Sequence, residues 1–245
     1  MADQQVKWGI VSTIKADTQA VLDFAAYHLE LGAHRLHIYL DEPDPATHDH
    51  LKSHPKVRVQ TCDDRYWKQR GLRRPSTHQH RQTVNATHAY GRVQADWLAH
   101  IDVDEFLWPA APMDQLLGAL PSDVSCARIR PIEALAGRPD EYKAFIPDGP
   151  DREATVRAIY PTYGVFLKGG FLSHVAGKLF ARTGLENAQF RIHNLRLDKD
   201  TNLPSVELPE VDLCHHHAHS WEQWSAVYQF RLQKGSYRAS LTSGF

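Results

Sequence analysis

The chain has 245 residues, of which 42% are hydrophobic and 23% are charged, a composition typical of soluble globular proteins. Lys plus Arg (28) nearly balances Asp plus Glu (29), which excludes nucleic acid as an expected partner because no strong overall field attracts it. The cysteines are far apart and odd in number, which indicates a reducing compartment rather than a disulfide framework. Without a signal-peptide pattern or an apolar run of about 18–20 residues, the sequence predicts a cytoplasmic protein.

The first hundred residues alternate between strand-like and helix-like patterns. Short apolar segments typical of strands lie at residues 7–13, 35–40, 56–61 and 97–101. Patterns typical of helices lie between them at residues 17–31, 46–53 and about 76–94. This alternation predicts an α/β fold, in which helices flank a mostly parallel central sheet. In such a sheet, ligands bind beyond the carboxyl ends of the strands.

The second half of the chain is less regular. Strand patterns lie at residues 124–130 and 179–182, the segment 138–152 is expected to be a loop, and a helix is expected at 221–232. The sequence contains no internal repeat and no clear linker. We therefore expect one domain, with a nucleotide-binding half at residues 1–108 and an acceptor-side half at residues 109–245.

The acidic segment Asp102-Val103-Asp104-Glu105 follows the fourth predicted strand directly. Asp102 and Asp104 are two residues apart, so on an extended backbone their carboxylates point to the same side. Two hard oxygen donors at the end of a strand suit Mn²⁺ or Mg²⁺ with open positions for phosphate oxygens. A bare pair of aspartates is common by chance and is often a solvated turn, but apolar segments flank this one on both sides. The context predicts a metal site formed by Asp102 and Asp104.

An internal run of histidines lies near the C-terminus, from Cys214 to His219. On a strand, alternate members of the run share one face, and a neutral imidazole is a good further ligand for Mn²⁺. His215 and His217 are therefore candidate metal ligands. The alternative is a solvated histidine-rich rim.

One stretch of the sequence resembles a known family. WLAHIDVDEFLWP at residues 97–109 resembles the W-x-x-x-x-D-x-D-E-F-L segment of family 2-like glycosyltransferases with a GT-A fold, in the bacterial subgroup with an IDVDEF-type motif. Further similar segments follow in the same order: DFAAYHLELGAHRLHIYLD, HQHRQTVNATHAY, GGFLSHVAGKLFARTGL, RIHNLRL and HAHSWEQW. Asp17 stands where the subgroup has a glutamate.

The resemblance implies that a nucleotide-sugar donor binds at Ser12, Thr13, Lys15 and Asp41. Gln82, Asp102 and Lys178 are further candidates for donor binding. Lys178 lies in a glycine-bracketed segment, for which the alternative is a loop that enters a strand. For Asp41 and Lys15 the alternative is structural, because Asp41 also opens a turn and Lys15 is also suited to solvent. Basic residues cluster between Lys68 and Arg81, where they form either a solvated surface or phosphate contacts.

The function implied by the resemblance is the metal-dependent transfer of a sugar from a nucleotide-sugar, most simply a UDP-sugar, to a hydroxyl group. The acceptor class is a polysaccharide, a lipid-linked glycan or another cell-envelope glycan, which is compatible with peripheral membrane association. An inverting reaction requires a general base, for which the candidates are Glu133, His174 and Asp212, beside the catalytic metal ligand Asp104. The alternatives are a nucleotidyltransferase, a metal-dependent hydrolase built on the histidine run, and a non-catalytic carbohydrate-binding protein on the same fold.

Overall fold

The structure is a computed structural model, and it describes residues 5–198, 201–218 and 220–234. The chain divides into two compact units: unit 1 comprises residues 1–130 and 176–213, and unit 2 comprises residues 131–175 and 214–245. This division does not follow the expected boundary at residue 108, and the single domain stays a prediction. His219, the last member of the histidine run, lies outside the described residues.

In the first half of the chain, the expected strands and helices occur in the expected order, with a further short helix at Asp64–Gln69 and a further strand at Glu105–Pro109. The strands are β1 (Trp8–Ile14), β2 (Arg35–Leu40), β3 (Val57–Thr61), β4 (Trp97–His100), β5 (Glu105–Pro109), β6 (Cys126–Leu135), β7 (Arg138–Lys143), β8 (Lys178–Arg182), β9 (Ala188–Phe190), β10 (Leu195–Leu197), β11 (Thr201–Asn202) and β12 (Val206–His215). The helices are α1 (Thr18–Glu30), α2 (Pro45–Lys52), α3 (Asp64–Gln69), α4 (His78–Tyr90), α5 (Met113–Gly118), α6 (Arg152–Ile159) and α7 (Trp221–Lys234), with 3₁₀ turns at Gly164–Phe166 and Lys168–Gly170. Within the described residues, no helix combines the length and the apolar character needed to cross a bilayer.

The main sheet has the strand order β3-β2-β1-β4-β8-β6-β12-β5. Strands β3, β2, β1 and β4 pair in parallel, whereas β8 is antiparallel to both β4 and β6. The expected α/β class is confirmed, but the sheet is mixed, so the expectation of a mostly parallel sheet is wrong. Two parallel strands that are neighbours need a crossover connection, whereas two antiparallel strands do not. The alternation of strand and helix that indicates such crossovers ends at β4, so the strands after β4 are not required to be parallel.

Strand β1 lies at the centre of the core of unit 1, and all its residues are buried. Ile10 packs in one apolar cluster and Val11 in another, as expected for a parallel strand with both faces covered. Helix α1 follows as predicted: the Asp17 side chain accepts a hydrogen bond from the backbone N–H of Ala20 at 2.9 Å and caps the helix. Gly32 has a φ of 104° just beyond the helix end, a conformation that glycine adopts without steric cost.

In unit 2, a hairpin replaces the first part of the loop expected at residues 138–152, whereas residues 144–151 contain no helix or strand, as expected. The end of β6 pairs antiparallel with β7, so that Glu133 lies opposite Lys143. Gly137, with a φ of 74°, lies in the turn between the two strands. The Pro- and Asp-rich composition predicts a loop, but pairing with the preceding strand overrides this weak local preference.

The close approach of β8 to β6 gives a stability prediction for Gly177. A Cβ at this position would lie 2.1 Å from the carbonyl oxygen of Ile129, and φ is +67°. Gly184 has a similar φ of +88°, but a Cβ there would meet no atom within 4 Å. We expect Gly184→Ala to lower the free energy of unfolding by about 1–2 kcal/mol through backbone strain, and Gly177→Ala by about 1–3 kcal/mol more through the clash. Denaturant titration of both variants measures the difference, and equal losses would contradict the packing described.

Candidate functional site

Three parallel strands of unit 1 end at one edge of the main sheet. Ile14 pairs with Leu40 at the ends of β1 and β2, and Val11 pairs with His100 at the end of β4. The residues that follow these strands therefore gather at the same edge, which is the usual ligand position in such sheets. We call it the donor edge; Asp102 lies there after β4.

The acidic turn at the donor edge is fixed by Glu105. A carboxylate oxygen of this fully buried residue accepts a hydrogen bond from the backbone N–H of Asp102 at 2.7 Å. The backbone N–H of Glu105 in turn donates to the carbonyl oxygen of Asp102 at 3.1 Å. These two bonds hold the chain between β4 and β5 in a tight turn that contains Asp102 and Asp104.

Lys178 supplies a buried positive charge to this turn. Its Nζ lies 2.5 Å from Oδ2 of Asp102 and 3.3 Å from Oε2 of Glu105, and its side chain is fully buried. Burial by itself would lower the pKa of Lys178, but the two carboxylates outweigh burial and raise it above its usual value. The antiparallel register of Ala99 with Phe180 brings the start of β8 beside the end of β4, which explains this contact.

The acidic turn remains suited to a divalent cation. Asp102 is 30% exposed and Asp104 is half-buried, and the carboxylates of the turn outnumber the ammonium of Lys178. Within residues 5–198, 201–218 and 220–234, no three His, Cys, Asp or Glu side chains form a group placed to hold a metal. Mg²⁺ and Mn²⁺ bound with a diphosphate commonly use one or two carboxylates and take the remaining ligands from phosphate and water. The donor set of Asp102 and Asp104 therefore fits such an ion.

Helix α4 presents a polar face to the donor edge. Nε2 of Gln82 donates to Oδ1 of Asp102 at 2.5 Å, and Nδ2 of Asn85 donates to Oγ1 of Thr13 at 3.1 Å. Arg81, Gln82 and Asn85 are all buried, although buried helix positions are normally apolar. Through these hydrogen bonds, Gln82 and Asn85 hold the side chains of Asp102 and Thr13 in position.

Two imidazoles near Lys178 remain neutral. Nδ1 of His100 lies 3.1 Å from the carbonyl oxygen of Arg191, and Nδ1 of His193 lies 2.8 Å from that of Gly177. Burial, followed by the charge of Lys178, lowers the pKa of each histidine to about 4. They add no positive charge at neutral pH, so Lys178 remains the main counter-charge beside Asp102.

Asp41, the residue after β2, is held by α4. Arg81 donates from Nε to Oδ1 and from Nη2 to Oδ2 of Asp41, each at 2.7 Å. Arg74 and His78 also contact this buried carboxylate. Burial would raise the pKa of Asp41, but its hydrogen bonds with His78 and Arg81 and their charges hold it well below its usual value. The carboxylate of Asp41 therefore faces these cations, and its contact with a nucleotide-sugar donor stays a prediction.

The remaining predicted donor contacts lie at the end of β1, where Ser12 and Thr13 belong to the strand and Lys15 follows it directly. The hydroxyl of Ser12 is buried and has no hydrogen-bond partner among the described residues. Thr13 accepts from Asn85, as noted above. Lys15 is 62% exposed and forms an ion pair with Glu42 at 2.6 Å. Ser12 thus offers an unused hydroxyl, whereas Lys15 already has a partner; their roles stay predictions.

In unit 2, the candidate base Glu133 is buried and strongly held. It forms an ion pair with Lys143 and accepts backbone N–H bonds from Leu172 at 3.1 Å and Ser173 at 2.8 Å. Burial would raise the pKa of Glu133, but Lys143 and these donors lower it. A carboxylate stabilised as an anion in this way is a weak base.

Three candidate histidines lie in unit 2. The ring centroid of His215 lies 6.0 Å from that of His174 and 5.2 Å from that of His217, so the structure brings these rings together. Asp212, the other candidate base, lies in unit 1, and partial loss of solvent raises its pKa. The metal site predicted to combine Asp102 and Asp104 with His215 or His217 stays a prediction.

Three contacts that organise the donor edge were not predicted from the sequence: Lys178 with Glu105, Arg81 with Asp41, and Asn85 with Thr13. A signal for the last two was present in the spacing of α4. Residues 78, 81, 82 and 85 fall on one helical face, where polar residues replace the apolar ones that a packed helix normally carries.

A family model described as glycosyltransferase family 92 matches residues 11–120. The matched segment begins within β1 and includes the acidic turn. The match covers less than half of the chain, and it supports the expected enzyme class, that of the glycosyltransferases. No curated protein is significantly similar to the chain over its length.

Two solved structures are similar to parts of the fold. The CMP:2-keto-3-deoxy-manno-octonic acid synthetase complexed with CTP is 15% identical, with 51% of this chain and 53% of that chain covered and a TM-score of 0.31. This chain thus spans about half the length of that protein. HddC from Yersinia pseudotuberculosis is 10% identical, with 91% of this chain and 98% of that chain covered and a TM-score of 0.42. Both TM-scores are low, so neither similarity bears on function.

The ion pair of Asp41 with Arg81 gives a pH-dependent prediction. Asp41→Asn leaves the buried Arg81 without its counter-charge, which should lower the free energy of unfolding at pH 7 by about 3–5 kcal/mol. Because the folded-state pKa of Asp41 lies below the unfolded value of 3.8, the ionised carboxylate stabilises the fold above that pH. Its contribution is lost as the pH falls further towards the folded-state pKa. Denaturant titrations at several pH values measure the free energy of unfolding, and the difference in this quantity between wild type and variant should shrink below pH 3.8.

The matched control is Asp123→Asn, because Asp123 is exposed. A difference between wild type and Asp41→Asn that does not change with pH would refute the ion pair.

Proposed function

We propose that the chain is a metal-dependent, inverting glycosyltransferase of the GT-A type that uses a nucleotide-sugar donor, with UDP-sugars as the first candidates. The acceptor is a hydroxyl group of a polysaccharide, a lipid-linked glycan or another cell-envelope glycan. A bond forms between the acceptor oxygen and the anomeric carbon, and the bond from that carbon to the diphosphate oxygen breaks. Association with a membrane surface and a cytoplasmic location stay predictions.

The proposal rests on the coincidence of the family match with the donor edge. Residues 11–120 supply the ends of β1, β2 and β4 and the whole acidic turn. The edge also offers the unused hydroxyl of Ser12 and the half-buried Asp104. A nucleoside diphosphate needs polar partners at the strand ends and positive charge for its phosphates. The acidic turn, whose three carboxylates outnumber the one ammonium of Lys178, meets the second need only with a bound cation.

Asp102 and Asp104 would hold Mn²⁺ or Mg²⁺ there, and His215 or His217 is kept as a further candidate ligand. When bound, such an ion acts as a Lewis acid that stabilises negative charge on the leaving diphosphate. Gln82 and Lys178 orient the Asp102 carboxylate, so its position is set before the donor arrives. Preorganised charge of this kind needs no rearrangement during the reaction.

The acceptor hydroxyl must lose its proton during the attack. Of the candidate bases, Glu133 is the least suited because Lys143 and two backbone N–H groups stabilise its anion. The raised pKa of Asp212 makes this carboxylate the stronger proton acceptor. His174 remains the third candidate, since an imidazole titrates near neutral pH.

The alternatives make different demands on the chain. A nucleotidyltransferase would hold a triphosphate with a glycine-rich loop after β1, where this chain has Ser12, Thr13 and Ile14 within the strand and Lys15 directly after it. A metal-dependent hydrolase would need metal ligands spread over several strand ends. A carbohydrate-binding protein would bind sugars without turning over a donor.

A thermal-shift screen tests the class of donor. UDP-, GDP-, CMP- and dTDP-compounds are added with and without Mn²⁺, and one of these nucleotides should raise Tm only when the metal is present, because ion and diphosphate bind together. Stabilisation by nucleoside triphosphates alone would favour the nucleotidyltransferase. Stabilisation by free sugars, with no response to any nucleotide, would favour the carbohydrate-binding protein.

Substitution of Asp104 tests the metal site. We expect Asp104→Asn to lower metal-dependent sugar transfer by about 10²–10³-fold, since a charged group aimed at the reacting centre is lost. Calorimetric titration with Mn²⁺ should show weaker binding in the same variant. The exposed Asp123→Asn serves as the control and should leave both measurements unchanged. Full activity and unchanged Mn²⁺ binding in Asp104→Asn would refute the assignment.

A further inference from the structure

A basic cavity lies in unit 1 on a face formed by strands β2 and β3 and helices α2, α3 and α4. Its volume is about 840 Å³, and it is open to solvent beside β3, the strand at one end of the main sheet. Its lining includes the cationic side chains of Arg35, Lys52, Arg58, Arg70 and Arg92. No Asp or Glu lines it. Neither Asp41 nor Asp102 belongs to the lining, so the cavity is separate from the donor edge.

The cations of this basic cavity have no counter-charge in the part of the chain that the structure describes. None of the five forms an ion pair with a carboxylate there. The guanidinium groups of Arg35 and Arg58 both donate to the carbonyl oxygen of Pro55, at 2.8 and 2.9 Å, which holds two like charges close together. Burial, followed by the charge of Arg58, lowers the pKa of Arg35. An anion in the cavity would relieve this repulsion.

Two buried polar atoms of the lining also have no hydrogen-bond partner among the described residues. They are Nε2 of His37 and Nε of Arg70. The guanidinium of Arg70 lies 4.2 Å from the centre of the Tyr66 ring, which holds its position without using its N–H donors. Buried polar atoms are normally satisfied, so unused groups in a lining of this charge indicate a site for a polar ligand.

We propose that this basic cavity binds a small soluble ligand that carries one or more phosphate groups. Planar guanidinium groups match phosphate oxygens in paired hydrogen bonds, and several of them surround the cavity. The volume lies within the range of small-molecule sites, and a concave cavity suits a compact ligand better than a membrane surface or a nucleic-acid strand. The proposal does not depend on the function assigned to the donor edge.

Calorimetric titration of the whole chain with inorganic pyrophosphate tests this site. EDTA is present, so that metal-assisted binding at the donor edge is suppressed. Arg58→Gln combined with Arg92→Gln removes two exposed guanidinium groups and should weaken binding by about tenfold or more. Lys52→Gln, also exposed, should weaken binding in the same direction.

The controls separate the basic cavity from general charge effects and from the donor edge. Arg65→Gln combined with Arg157→Gln changes the net charge equally at exposed positions outside the lining and should leave the affinity unchanged. Asp104→Asn should retain pyrophosphate binding. Equal weakening by the control pair, loss of binding in Asp104→Asn, or no binding to the folded wild-type chain would each overturn the proposal. The proposal would also be overturned if the chain bound anionic vesicles or RNA but did not bind pyrophosphate.

Discussion

The ion pair that Lys178 forms with Asp102 and Glu105 is the interaction on which the donor edge depends. A fully buried ammonium is stable only when carboxylates surround it, and closely spaced carboxylates are stable only when a cation neutralises part of their charge. The ammonium of Lys178 therefore stabilises the two carboxylates, and the carboxylates stabilise the buried ammonium. Because Lys178 opens β8 and Asp102 follows β4, the pair also joins two antiparallel strands at the edge. The turn is thus positioned in unit 1 before any donor binds.

Helix α4 extends this arrangement along the edge. It buries Arg81, Gln82 and Asn85, which contact Asp41, Asp102 and Thr13 respectively. Burying polar side chains costs free energy unless their hydrogen bonds are made, and here each has a partner at the end of a different strand. The helix therefore stabilises the positions of three strand ends at once. This arrangement sacrifices the apolar packing that the same helix face would otherwise give.

The net charge of the chain is close to zero, but acidic and basic residues are concentrated in different places. The acidic turn of the donor edge carries more carboxylates than the one ammonium of Lys178 balances, whereas the basic cavity beside β3 carries five cations and no lining carboxylate. Opposite local charges select opposite ligands: the first favours a cation that brings a diphosphate, and the second favours a phosphate directly. Unit 1 thus carries an acidic turn and, separately, a cavity lined by cations.

The sequence by itself determined the local features of this protein. The alternation of strands and helices up to β4, the Asp17 cap of α1 and the acidic turn after β4 all follow from patterns within short segments. The family match that supports the enzyme class covers most of these segments. Apolar periodicity and capping residues act over a few positions, which is why such features can be predicted without a structure.

Only the tertiary structure decided how these features are combined. Lys178 is 76 residues from Asp102 in the chain, and their contact depends on the antiparallel register of β8, which no local pattern specifies. The contact of Asp41 with Arg81, 40 residues away in the chain, is likewise not specified by any local pattern. Nor does a local pattern specify that cations between residues 35 and 92 line one cavity. Contacts of this kind depend on strand order and on the packing of α4, so their charges meet only when the whole of unit 1 has folded.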